Sequence, residues 1–193
     1  MASYWLLIAV LIPAIAGLME KFIKFPSRKA RLLFLEVIVI LNSILVWGMI
    51  FNRPDYGYKL VQFSGDLALC FRLDGMGIIF AGLIAFLWPL ATLYAFEYMT
   101  HEENEETFFM FYTVAYGVTL GIAFSANLIT MYFFYELLTL VTVPLVMHSL
   151  TRDAILAGRK YLYYSLGGAA FAFIGLVFVI VYGGGTSEFS LGG

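Results

Sequence analysis

The sequence has 193 residues, 62% of them hydrophobic and only 12% charged, with a formal net charge of −2. A soluble domain is typically ~45–50% apolar and ~25% charged, so this balance, with a mean hydropathy of +0.91, belongs to a chain whose solvent is mostly lipid. The net charge gives no electrostatic basis for nucleic-acid binding, and the single cysteine, Cys70, excludes an internal disulfide and any multi-cysteine metal or iron–sulfur site within these residues.

Residues 3–19 form the first apolar segment. No basic stretch precedes it and a basic cluster follows it, the reverse of a cleaved signal peptide, so it reads as a membrane helix. A helix needs roughly 20 apolar residues to cross a hydrocarbon core ~30 Å thick. Further segments of this kind lie at 31–51, 76–98, 108–125, 127–149 and 160–182. Together they predict an all-α polytopic membrane protein: about six transmembrane helices in one domain over residues 1–193.

The connections carry the charge. "EKFIKFPSRKAR" holds Lys21, Lys24, Arg28, Lys29 and Arg31, and Arg152, Arg159 and Lys160 lie around the start of the sixth segment. With six spans these connections share one side, which then holds eight of the eleven Lys and Arg residues. The positive-inside rule places that side in the cytoplasm and both termini outside it. The acidic loop "THEENEET" falls on the same side. Acidic residues carry little topological weight, and the run reads as a solvated loop or as a docking site for a basic face of a cytoplasmic partner. Between the second and third segments, two apolar-rich runs flank Ser64, Gly65 and Asp66, which predicts an extracytoplasmic β-hairpin over about 58–73. Asp74 stands where it caps the third helix. Gly117, Gly121 and Ser125, and Gly168 with Ala172, recur at four-residue spacing, a pattern that lets helix backbones approach closely in lipid. Pro89 and Pro144 fall inside helices, where each removes one backbone hydrogen bond.

Glu136 is the one formal charge in "MYFFYELLTLVTVPLVMHSL". It lies about eight residues, or roughly 12 Å, from the outer end of its segment. An ionisable residue at such depth costs about 2.5–3.5 kcal/mol to insert, and residues of this kind mark ion pathways and proton relays. Tyr132 and Thr139 share its helix face. Pro144 cannot donate to the Leu140 carbonyl, which frees an acceptor one turn away. A proton-handling role and a permanently protonated, hydrogen-bonded Glu136 are both compatible with this pattern. Lys160 reads as entering about 18 Å from Glu136, near His148, and so as a snorkelling residue or part of a cytoplasmic proton inlet. Glu36 and Glu97 lie toward that same side, as interfacial residues or inlet members.

"YFFYELLTLVTVPLV", "AGRKYLYYSLGGA" and "FRLDGMGIIF" together resemble the antiporter-like subunits shared by respiratory complex I, Mrp-type sodium/proton antiporters and membrane-bound hydrogenases. The family usually has Trp before the glutamate where this chain has Tyr135. The resemblance implies that Glu136 matches the acidic half of a Glu–Lys pair that drives ion translocation, and that Lys160 matches a lysine at the start of helix six. The expected ion-translocation residues are thus Glu136 and Lys160 on the resemblance, with Thr139 from the shared helix face and His148 near Lys160, although His148 as an interfacial residue needs no special role. In the family the pairing lysine comes from helix seven, beyond "GGGTSEFSLGG". A split subunit, a shortened paralogue and a sequence that stops short of its protein's end all fit.

The resemblance thus implies a subunit for proton or sodium/proton translocation in a multisubunit, redox-driven complex of the cell's inner membrane. Its partners would be other integral membrane subunits, including a chain with the remaining antiporter helices, and the lipid bilayer. Iron–sulfur clusters are expected only on partner subunits, with no cofactor in this chain. A structural or coupling subunit is the alternative. An intramembrane enzyme is disfavoured, since HExxH, GxSxG and dinucleotide fingerprints are missing.

Overall fold

A computed structural model describes residues 4–52, 57–64, 67–183 and 187–189. Its helices are α1 (Tyr4–Glu20), α2 (Arg28–Asn52), α3 (Gly75–Tyr98), α4 (Glu105–Ala123), α5 (Leu128–Val146) and α6 (Arg152–Tyr182). Strands β1 (Gly57–Ser64) and β2 (Leu67–Arg72) lie between α2 and α3. Among the described residues, five helices are long and apolar enough to cross a membrane; α1, also apolar, has 17 residues. The expected fold class, a six-helix membrane domain with a small hairpin, is the one the chain adopts.

Lipid offers no hydrophobic force between helices, so close contact must hold them together. Glycine supplies it around α4. A Cβ at Gly17 would stand 2.6 Å from the Met110 carbonyl oxygen, and one at Gly117 would collide with the Val10 carbonyl. These two positions let α1 and α4 cross backbone to backbone. One turn further along α4, Gly121 makes room for the Phe134 ring of α5. The core lies within this bundle and includes Leu6, Val39, Val46, Tyr116, Leu120 and Phe124, all buried. Gly167 and Gly168 of α6 face open space, so the small-residue face expected there has no partner among the described residues. Helix α6 packs chiefly on α5 and buries only Gly158 and Ala169.

The hairpin closes one end of the bundle. Strands β1 and β2 pair antiparallel, and the turn residues Gly65 and Asp66 lie outside the described residues. The free edge of β2 is satisfied by the α4–α5 connection: Arg72 N donates to the Phe124 carbonyl (2.7 Å) and Ala126 N to that of Cys70 (2.9 Å). Cys70 N donates to Thr130 Oγ1 at 2.8 Å, and Asn127 Nδ2 donates to the Ala68 carbonyl at 2.8 Å. Ser187 returns from α6 to accept from Leu128 N, while 184–186 and 190–193 of the glycine-rich loop lie outside the described residues. Asp74 caps α3 by accepting from Gly77 N at 2.8 Å.

Of the boundaries that differ from the sequence expectation, two bear on the candidate residues. Helix α6 starts at Arg152, not 160, capped by Thr151 Oγ1, which accepts from Ala154 N. Its 31 residues span about 47 Å, more than a ~30 Å hydrocarbon core, so charged turns continue the helix outside the apolar stretch. Helix α5 ends at Val146, leaving His148 in the turn beyond it.

Candidate functional site

Glu136 sits on the third turn of α5, half-buried, with Oε1 enclosed and without a hydrogen-bond partner. Tyr132, one turn earlier, interacts with its carboxylate, and the Tyr132 hydroxyl lies 3.4 Å from the Ala169 carbonyl of α6. Thr139 is buried beside it but donates to the Tyr135 carbonyl of its own helix (3.3 Å). One further turn along, Thr142 and Tyr161 join α5 to α6 through their hydroxyls at 2.8 Å. A seam of hydroxyl groups therefore runs between α5 and α6, with Glu136 on its rim. On the other flank of Glu136, Phe133 and Leu140 are exposed. The carboxylate stands between a polar seam and an uncovered apolar face.

The contact between Thr142 and Tyr161 fixes the level of Lys160. It stands about seven residues along the axis from Glu136, roughly 10 Å instead of the 18 Å expected from a helix beginning at 160. Yet Lys160 is exposed and points away from α5, about 200° around α6 from the buried Gly158. Among the described residues no Lys, Arg or His forms an ion pair with Glu136. His148 belongs elsewhere: Nδ1 is 2.9 Å from the Leu145 carbonyl, Nε2 is 3.8 Å from Glu102, and its own carbonyl accepts from Asn104 Nδ2. Of the four expected residues, Glu136 and Thr139 come together; Lys160 and His148 stand apart from them.

A second group of charges, at the end opposite the hairpin, was not singled out from the sequence. Arg31 is buried and pairs with Glu105, with Glu106 at 2.8 Å and with Glu20 at 3.6 Å. Arg28 binds Glu105 through two nitrogens and donates to the Phe96 carbonyl at 3.0 Å. These residues line a cleft of about 710 Å³ together with Lys21, Lys24 and Asn104. The acidic loop thus docks on the basic α1–α2 connection of its own chain. Opposite charge in two connections on one side was the available signal. Glu97 is exposed, whereas Glu36, expected as an interfacial residue or an inlet member, is buried inside the bundle at 7% exposure. Among the described residues, no three His, Cys, Asp or Glu side chains are placed to hold a metal ion.

Residues 62–109 match the family described as NADH-ubiquinone oxidoreductase (complex I), chain 5 N-terminus. The chain is 27% identical over 187 residues to the chloroplastic NAD(P)H-quinone oxidoreductase chain 4 of Chlorokybus atmophyticus, covering 93% of this chain and 35% of that one. It is 31% identical over 88 residues to Na(+)/H(+) antiporter subunit A1 of Staphylococcus aureus (strain JH9), covering 46% of this chain and 11% of that subunit. A chain of the membrane-bound sulfane sulfur reductase, an archaeal respiratory membrane complex, shares the fold with a TM-score of 0.69 at 18% identity, over 96% of this chain and 38% of that one. The chain spans 35% or less of the length of these curated relatives.

Proposed function

Because this chain is a relative of the antiporter-like subunits of Mrp-type antiporters and complex I, we propose that it takes part in proton or sodium/proton translocation within a larger membrane complex. Glu136 is the protonatable site. The observation that carries this function is its setting: a carboxylate about 12 Å inside an apolar helix, one oxygen enclosed, no cation among the described residues paired with it, and an uncovered apolar face beside it. A lysine on a partner membrane subunit supplies the opposing charge from that face. The hydroxyl seam of Tyr132, Thr139, Thr142 and Tyr161 lines the approach, and Lys160 and His148 act nearer the charged end. That end faces the cytoplasm of a cell whose inner membrane holds the complex, and the hairpin faces outside. Any iron–sulfur chemistry that drives transport resides on partner subunits.

Purification of the chain from native membranes in mild detergent, with mass spectrometry of every co-purifying polypeptide, tests the assembly. Other integral membrane subunits should accompany it, one of them placing a lysine against Glu136. Recovery of the chain alone, or as a homo-oligomer, would leave Glu136 without its cation and contradict the proposal. A structural or coupling role is favoured by the glycine contacts of α4, which hold three helices together whether or not ions move. In that case Glu136→Gln leaves transport by the complex unchanged.

A further inference from the structure

The interior of α1–α4 is not uniformly apolar. Along the buried face of α2 lie Arg31, Glu36, Asn42 and Ser43, interleaved with Leu35, Val39 and Val46. Glu36 is 7% exposed, and neither carboxylate oxygen has a hydrogen-bond partner among the described residues. It lies eight residues from the start of α2, about 12 Å along the helix from the charged end. Glu136 lies equally deep, measured from the hairpin end. An ionised carboxylate so placed carries a desolvation cost of several kcal/mol that nothing nearby offsets. A protonated one needs only a single acceptor for its O–H.

The surroundings of Glu36 form a column of hydrogen-bonding groups. Tyr112 of α4 interacts with Glu36 and with Thr92 of α3. The Trp88 ring of α3 stacks between Tyr112 and Tyr116, with centroids 5.1 and 5.2 Å away, and its Nε1 is buried without a partner. Beyond it the Tyr116 and Ser43 hydroxyls meet at 2.8 Å, and Asn42 donates to the Ala9 carbonyl of α1 at 3.1 Å. The column ends there, under Leu6, Val46, Leu120 and Phe124.

In the other direction, Arg31 stands five residues before Glu36, about 7.5 Å along the axis. Its three carboxylates are graded from water inward: the side chains of Glu106, Glu105 and Glu20 are 73%, 14% and 0% exposed. Of the charged and titratable groups on the packed helices, Tyr112 of α4 interacts with Glu36, while Arg31 of its own helix, Glu105 of α4 and Glu20 of α1 stand together nearer the charged end. Helix α3 presents the uncharged Thr92 and Trp88 there, its Glu97 being exposed beside Arg28.

We propose that Glu36 is a second proton-binding site of this chain, loaded and unloaded from the charged cleft through Glu106, Glu105 and Glu20. The proton arrives as hydronium at the cleft, passes to the Glu36 carboxylate across the short span beside Arg31, and leaves by the same route, because the column is closed by apolar side chains toward the hairpin. Tyr112, hydrogen-bonded to Thr92, acts on the carboxyl group electrostatically. The site is separate from Glu136 and shares with the proposed function only the membrane setting.

Infrared difference spectroscopy on the intact complex, with pH stepped on the side of the charged cleft, reads the site directly. Wild type should show a buried carboxyl C=O band that appears and disappears with pH and shifts in heavy water. The band should be absent in Glu36→Gln and unaffected by Glu136→Gln. In Tyr112→Phe it should persist at a shifted frequency, which keeps the test open if Glu36→Gln does not assemble. A pH-dependent spectrum identical in wild type and Glu36→Gln would overturn the proposal, as would an unshifted band in Tyr112→Phe. Loss of the Glu36 band with ion transport still dependent on Glu136 leaves the proposed function standing. Persistence of the band with transport independent of Glu136 removes that function and leaves this site.

Discussion

At the scale of single residues, Arg31 holds the charged end together. Its guanidinium presents separate nitrogens to Glu20, Glu105 and Glu106. A lysine point charge cannot reproduce that fork. Removing one partner of a buried ion pair typically costs about 3–5 kcal/mol, because the remaining charge is stranded. Arg31→Ala should therefore lower the melting temperature of the detergent-solubilised protein markedly, and adding Glu20→Gln should recover part of the loss; additive losses would mean that the two side chains are not coupled. Cys70 gives a second residue-level test. Burial in the hairpin pushes its thiol above the ordinary range, with Glu188 adding to the shift and Lys59 opposing it. Only the thiolate reacts. Iodoacetamide should thus modify Cys70 more slowly at pH 7.5 than it does an unperturbed thiol, with the rate climbing past the ordinary thiol value of about 8.5. A rate that levels off below that pH would contradict the burial argument.

At the scale of elements, the contrast between α4 and α6 is instructive. A leucine at Gly117 would drive side-chain atoms into the α1 backbone, and one at Gly121 into the Phe134 ring. Overpacking costs about 1–3 kcal/mol where neighbours can shift, and backbone cannot. Gly117→Leu should abolish the monodisperse peak in detergent size-exclusion chromatography, whereas Gly167→Leu should leave the fold of this chain intact, having nothing within 4 Å. A normal profile for Gly117→Leu would contradict the backbone contact. Both small-residue faces were legible in the sequence at the same spacing. That spacing shows where a backbone can be approached, not which helix approaches it, so only contacts distinguish them. The start of α6 was misplaced for a related reason. Hydropathy marks where lipid begins, while the helix follows its cap at Thr151 and carries Arg152, Arg159 and Lys160 on its first turns. The hairpin and the Asp74 cap were readable because turn and capping chemistry is local.

At the scale of the molecule, the α1–α2, α3–α4 and α5–α6 connections share one end, held by Arg28 with Glu105 and by Asn104 with the His148 carbonyl. The hairpin occupies the other. If the charged end is cytoplasmic, Phe63→Cys on exposed β1 should react with a membrane-impermeant maleimide in intact cells, and Lys24→Cys only after permeabilisation. The opposite pattern would invert the orientation. The acidic loop showed no base of its own in the sequence because Arg28 and Arg31 lie far away in the chain, and the burial of Glu36 was not legible because apolar flanks meet lipid and neighbouring helices alike. Glu136 stood out since nothing near it in sequence accounts for a charge. Ion uptake by vesicles containing the intact complex, compared between wild type and Glu136→Gln at equal assembly, tests its role most directly. Transport should be lost in Glu136→Gln with subunit composition unchanged; transport at the wild-type rate would contradict a translocating role for this carboxylate.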